Sequence, residues 1–384
     1  MSTHATGPES FARSCVDLIE RRDLEERLSA GRPLRVKFGM DPSSPDLHIG
    51  HCVQLFKLRA LQQQGHQIVL IVGDSTAMVG DPSGRNKLRP QLTRAEVEAN
   101  LDTYVSQVSK VLDLGRTEVH RNSEWFDAMK FEDVLRLASR MTVARMLERD
   151  TFQKRVQESE PIGIHEFLYP LMQGWDSVMI RCDVELGGTD QLFNLIVGRH
   201  LQEQCSMPPQ IVMTLPLING FDGRKMSKSY DNSVPLTDSA REMYHKVKRV
   251  DDAQVARWFE LLTELPPAQI ASLTAGDLLD AKDRLAAEIT RFFHGEAGLA
   301  TVREAPELPW PKGAAARLPL ANLIQALGLS ATTSEARRAS EQGGVSVDGQ
   351  VVRLPGQIVE AGAKALLITV GKRRAARVLP PTPG

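Results

Sequence analysis

Two short stretches carry residues able to act on a polyanion. His48 and His51 stand three apart in Leu47-His48-Ile49-Gly50-His51, with Ser43 shortly before them. Far downstream lies Gly223-Arg224-Lys225-Met226-Ser227-Lys228-Ser229, rich in lysine and serine. Imidazoles at the start of a helix share one face and sit beside amides that attract anions. Lysines in a loop supply cations that can close over a leaving group. Chemistry on a nucleoside triphosphate suits such an arrangement, although neither GxxxxGK[ST] nor GxGxxG is present.

The first stretch must be positioned by what surrounds it. Leu34, Val36, Phe38 and Met40 alternate as a strand, and Pro42, Ser43, Ser44 and Pro45 make a turn-rich loop. The spacing then predicts a helix from about Ile49 to Gln64, capped by Asp46 and stopped by Gly65. The apolar run Ile68 to Val72 reads as a strand covered on both faces. Strand, helix and strand form a crossover, so the sheet is expected to be parallel and the connection right-handed. Ligands of such sheets sit beyond the carboxyl ends of the strands, where His48, Gly50 and His51 fall. Taken alone, the histidines could equally be a surface pair or two ligands of a metal. The lysine-rich loop, following the apolar run Ile211 to Ile218, favours the triphosphate reading.

Three further stretches belong to the same edge. On a helix, Tyr169, Gln173 and Asp176 fall on one polar face, either a site wall or a solvated surface. Gly187, Gly188, Thr189, Asp190 and Gln191 make a tight turn after a strand, able to bring Asp190 to a ribose. Gly80 to Gly84, GDPSG, is a turn by composition and contains Asp81.

Composition bounds the rest. The 384 residues suffice for two or three domains, and a net charge of −1 gives no global polybasic signal. Charge is uneven: residues 314–384 hold nine Lys or Arg against four Asp or Glu, a basic appendage suited to a polyanion. Cys15, Cys52, Cys182 and Cys205 form no CxxC pair, which argues for a reducing compartment and against structural zinc. With a polar N-terminus and no apolar run of spanning length, a soluble cytoplasmic protein is expected, without a membrane association.

In chain order, residues 1–32 read as a helical packing segment. An α/β domain spans 33–235, interrupted by a helical insertion at about 93–160; helices fill 236–300, a proline-marked linker 301–316, and a small α+β domain 317–384. In the last, Asp348 and Gly349 are a hairpin turn signal.

HIGH followed by KMSKS, in that order across two halves of a sheet, resembles the class I aminoacyl-tRNA synthetases. The resemblance covers nearly the whole chain and narrows to the tyrosyl-tRNA synthetase family through GMDPSSPDLHIGH, GDPSG, FLYPLMQGWDS and GGTDQ. SEARRASEQGGVSVDGQVV is similar to the S4 RNA-binding domain. The family implies a Rossmann-like parallel sheet followed by a helical and an S4-like domain. It implies tyrosine activation with ATP and Mg²⁺, transfer to tRNA(Tyr), and a homodimer whose contact the insertion often builds. It implies that Asp176 accepts the phenol proton, that Asp81, Tyr169 and Gln173 hold the ammonium group, and that Gly39 and Gln191 complete the tyrosine pocket. Ser43 and His48 are then expected at the triphosphate, Gly50 and His51 at the nucleoside, Asp190 at the ribose, and Lys225 and Lys228 at the pyrophosphate. Lys37 stands where the best-known branch has a tyrosine touching the substrate hydroxyl; its charge could pair with Asp176 or donate to the phenol oxygen. Arg337, Arg338, Lys372, Arg373 and Arg374 are the expected RNA contacts. Rival readings are a tryptophanyl enzyme, a small-molecule nucleotidyltransferase with an HxGH motif, and an RNA-binding module with a dead catalytic fold.

Overall fold

The computed structural model describes residues 7–83, 92–226, 230–303, 305, 307–312, 314–362, 364–371 and 374–380. It divides into two compact units, Met1–Phe293 and His294–Gly384.

The first unit is built on a six-stranded sheet of order β1-β6-β5-β2-β3-β4. These strands are β1 (Asp17–Ile19), β2 (Arg35–Met40), β3 (Gln67–Val72), β4 (Thr117–Arg121), β5 (Val184–Gly188) and β6 (Ile211–Leu215). All neighbours are parallel except β1, which runs antiparallel to β6. Burial of every residue of β5 and β6 matches strands covered on both faces. The same cover buries Lys37, the polar alternant of β2, as completely as Val36.

Helix Ile49–Gln63 crosses from β2 to β3, with Leu55, Leu58 and Leu61 fully buried. Its cap is His48, not Asp46: the His48 side chain accepts from Gly50 N–H, as a short oxygen-bearing side chain would. Helices Leu168–Met179 and Leu192–Gln204 pack against each other near β5.

Further expectations change. The N-terminal segment 1–32 is not simply helical: among its described residues β1 separates Pro8–Ala12 from Arg21–Ser29, and Ser14 and Glu20 take positive φ. Inside the expected helical insertion, Thr117–Arg121 supplies edge strand β4, whose Val119 is 40% exposed. An edge strand keeps polar residues, so TEVHR carries no apolar run to mark it.

Helices Ala240–Lys248, Val255–Leu262 and Pro267–Thr274 belong to the same compact unit. Phe56 meets Phe292 at 4.7 Å between ring centroids, and Arg59 pairs with Glu264 at 3.2 Å. Helix Leu278–Arg303 breaks at Gly295, where φ is +70°.

The second unit has a sheet of order β10-β9-β12-β13-β7 and a β11–β8 pair. Its strands are β7 (Glu307–Pro309), β8 (Arg317–Pro319), β9 (Val345–Val347), β10 (Gln350–Val351), β11 (Ile358–Glu360), β12 (Leu366–Val370) and β13 (Arg374–Leu379). Thus part of the expected linker is strand β7, paired with β13. Helices Leu320–Ala326 and Thr333–Glu341 close the core over Leu320, Ile324, Ala336 and Ile368. Asp348 and Gly349 both take positive φ, 47° and 81°, as a type I′ hairpin needs. Among the described residues no helix is long and apolar enough to cross a membrane.

Candidate active site

A cavity of about 640 Å³ opens beyond the carboxyl ends of β2 and β5. Gly39, Ser43, His48, Gly50, His51, Asp81, Tyr169, Gln173, Asp176, Asp190, Gln191 and Lys225 all line it. Residues scattered over nearly two hundred positions meet there because parallel strands end on one edge.

His48 and His51 lie against each other at the helix start, ring centroids 4.0 Å apart and planes tilted by 35°. His48 Nδ1 accepts from Gly50 N–H at 3.2 Å, which assigns the neutral ring's proton to Nε2. His48 N–H in turn donates to His51 Nδ1 at 3.1 Å. A Cβ on Gly50 would come within 2.9 Å of the His48 ring and 3.2 Å of Met226 Sδ. Glycine therefore lets the two distant motifs close on each other.

The floor is polar and deeply buried. Asp176 is 3% exposed and accepts from Trp125 Nε1–H at 3.0 Å and Asn122 Nδ2–H at 3.5 Å. Burial pushes its carboxyl up from 3.8 to about 7, against the opposing pull of Lys37 and of these two donors. A carboxylate so placed is a strong acceptor for a hydroxyl donor brought by a ligand.

Lys37 does not reach Asp176 or the cavity. Its ammonium donates to the Gln173 carbonyl at 2.7 Å, Ser177 Oγ at 2.8 Å and Glu185 Oε1 at 2.8 Å, which uses all three protons. It braces helix Leu168–Met179 against the sheet. Its link to Asp176 is through space, as a cation that favours the charged carboxylate.

The remaining walls form one hydrogen-bonded shell. The Tyr169 hydroxyl donates to Asp41 Oδ2 at 2.9 Å, and Thr76 Oγ1–H to Asp41 Oδ1 at 2.8 Å. A Cβ on Gly73 would fall 2.1 Å from that same Asp41 oxygen, so only glycine fits. Burial, with Asp41 and Asp81 nearby, raises the Tyr169 phenol well above its usual value, keeping it a donor. Gln173 Oε1 accepts from Asn194 Nδ2–H at 2.9 Å. Gln191 Nε2–H donates to Asp81 Oδ2 at 2.9 Å, and Asp81 also accepts from Ser83 N–H at 2.8 Å. Burial raises the Asp190 carboxyl, and the Asp81 charge adds to that.

Lys228, with its neighbours Ser227 and Ser229, lies outside the described residues, as do Lys372 and Arg373. In the second unit Arg337 and Arg338 are exposed, and Arg374 pairs with Glu335 at 2.8 Å.

Sequence reasoning missed Asp41, Thr76, Asn122, Trp125 and Glu185. Asp41 lay within a quoted motif and could have been marked as the acid nearest the end of β2. Asn122 and Trp125 follow a strand that was not recognised, and Glu185 sits within a strand; these carried no local signal.

A parallel sheet with a paired HxGH motif at one edge, a lysine of a KMSKS stretch beside it and a second, small α+β unit defines a class. The chain belongs to the tRNA synthetase class I (W and Y) family, whose model matches residues 29–307. An S4 domain model matches residues 318–364. Within the family, the chain is 47% identical to the tyrosine–tRNA ligase of Thermotoga maritima, covering 95% of each chain. It is 44% identical to that of Ralstonia nicotianae, over 97% of this chain and 99% of the other. Among solved structures, a C-terminally truncated Aspergillus nidulans mitochondrial tyrosyl-tRNA synthetase superposes with a TM-score of 0.65 at 25% identity. That match covers 77% of this chain and 91% of the other.

Proposed function

We propose that this chain is a tyrosine–tRNA ligase, which joins L-tyrosine to ATP as tyrosyl-adenylate and then passes the tyrosyl group to the 3′ end of tRNA(Tyr), releasing AMP and pyrophosphate. The observation that carries the reading is Asp176, a buried acceptor at the floor of the cavity that holds the HxGH pair and Lys225. A phenol hydroxyl donating to Asp176 adds to the donors Trp125 and Asn122; an amino acid without that hydroxyl leaves part of a buried carboxylate's accepting capacity unmet.

In the first step the tyrosine carboxylate attacks the α-phosphate and pyrophosphate leaves. A carboxylate is already a nucleophile, so the protein's task is positioning and charge stabilisation. Asp81, Tyr169 and Gln173 receive the ammonium group, with Gly39 and Gln191 beside them. Ser43 and His48 face the triphosphate, Gly50 and His51 the nucleoside, and Asp190 the ribose. Lys225 and Lys228 cover the departing pyrophosphate. Mg²⁺ arrives with the nucleotide as part of the substrate. Among the described residues no group of three or more His, Cys, Asp or Glu is placed to hold an ion.

The S4-like unit supplies the RNA contact through Arg337, Arg338, Lys372, Arg373 and Arg374. The chain acts as a homodimer in the cytoplasm. Support for the dimer comes from an exposed apolar set in the insertion and just beyond it, with Phe131 77%, Val143 63% and Ile164 84% exposed. The test is aminoacylation: full-length protein with ATP, Mg²⁺ and bulk bacterial tRNA should esterify tyrosine and not tryptophan. Esterification of tryptophan would overturn the pocket assignment, and none of either the function.

A further inference from the structure

Arg149 is a buried cation that the proposed mechanism does not use. It precedes helix Asp150–Gln157, and its side chain is 3% exposed. The guanidinium carbon lies 5.5 Å from the Phe152 ring centroid and 5.9 Å from that of Phe193. Both terminal nitrogens are buried without a hydrogen-bond partner among the described residues. The facing anion is Asp81, whose Oδ1 is 3.6 Å from Nη2. Burial works against the charge and lowers the guanidinium's affinity for its proton.

For the fold alone this is a poor choice. A buried cation with unfilled donors destabilises, and a methionine between two phenylalanines would fill the slot without that cost. The groups that feel Arg149 suggest why it is there: Asp81, Tyr169 and Asp190, all in the cavity wall. Asp81 and Asp190 repel each other and any anion placed between them. Resting on the tyrosine ligase reading, the substrate brings such anions: the amino-acid carboxylate and then the α-phosphate must lie between the group holding the ammonium and the group holding the ribose.

We infer that Arg149 is a positioning residue for the anionic part of the amino acid: its fixed charge, seated behind Asp81, offsets the negative field of Asp81 and Asp190 where the substrate carboxylate must sit. It acts through those carboxylates and needs no contact with the substrate.

The test compares tyrosine with tyrosinol, the amino alcohol that keeps the ammonium and phenol groups but lacks the carboxylate. Binding of each to the full-length protein is measured by calorimetry, beside the melting temperature. Arg149→Met should weaken tyrosine relative to tyrosinol about tenfold or more, leave tyrosinol unchanged or bound more tightly because its ammonium then meets an uncompensated Asp81, and leave the melting temperature unchanged or raised. Arg149→Lys should keep the wild-type preference, and Arg149→Gln should lose it as the methionine variant does. Equal weakening of both ligands, an unchanged relative affinity, or a lowered melting temperature would overturn the inference. Wild-type protein that binds neither ligand would instead overturn the tyrosine reading on which it rests.

Discussion

Replacing Asp176 with asparagine removes one titration and one acceptor, and the structure sets the size of both effects. The carboxyl moves from an ordinary 3.8 to about 7 on folding because burial disfavours its charged form. Its folded value is raised, so between about pH 4 and pH 7 the folded state binds the proton more tightly than the unfolded chain does. Stability from this group is present at low pH and is lost as pH rises through that window. From pH 5 to pH 8 the loss is about 2–3 kcal/mol at about 1.4 kcal/mol per pH unit. The amide of the variant cannot titrate, so urea unfolding of Asp176→Asn and wild type at the two pH values should show the variant gaining by that amount at pH 8. Parallel pH dependence of the two proteins would refute the raised carboxyl. The same substitution should lower kcat/KM for tyrosine in pyrophosphate exchange about 10- to 100-fold, the worth of a hydrogen bond to a charged group. Phenylalanine, which never made that bond, should not lose. Equal losses for both amino acids would mean that Asp176 does not read the hydroxyl.

Lys37→Met should cost about 3–5 kcal/mol in urea unfolding, because it leaves Glu185 buried without its cation; a loss below about 1 kcal/mol would contradict the bracing role. Lys225→Ala and Lys228→Ala should each lower the activation rate about 100-fold or more while tyrosine binding stays nearly constant, as read by single-turnover adenylate formation. Arg337→Ala with Arg338→Ala should raise the KM for tRNA and flatten its salt dependence, yet spare pyrophosphate exchange; unchanged charging would remove the RNA role from these residues. Phe131→Asp with Ile164→Asp should convert the protein to monomers in sedimentation, and a persistent dimer would place the contact elsewhere.

Much of the cavity was legible because strand-end motifs collect at one edge of a parallel sheet. His48, Asp81, Tyr169, Asp176 and Asp190 could be placed together once the crossover Leu34–Val72 was recognised and the family resemblance supplied their partners. What the sequence hid is what depends on burial. Lys37 looked available to the substrate, but cover on both faces of β2 commits its three protons to Gln173, Ser177 and Glu185. Asp46 looked like the helix cap, yet an imidazole nitrogen of His48 fills that role. The edge strand β4 was lost among helices because an exposed edge keeps polar side chains, and with it went Asn122 and Trp125, the two donors to Asp176. Arg149 gave no sign at all, since one arginine in a charged helical stretch is ordinary until its burial is known.

Tyrosine selection by the floor of the cavity is the central claim, and pyrophosphate exchange into ATP tests it most directly. Wild-type protein is assayed with Mg²⁺, without tRNA, and with tyrosine, tryptophan and phenylalanine supplied separately. Exchange with tyrosine alone is the predicted result. Exchange with tryptophan, or comparable exchange with phenylalanine, would contradict the account of Asp176 as the group that reads the phenol.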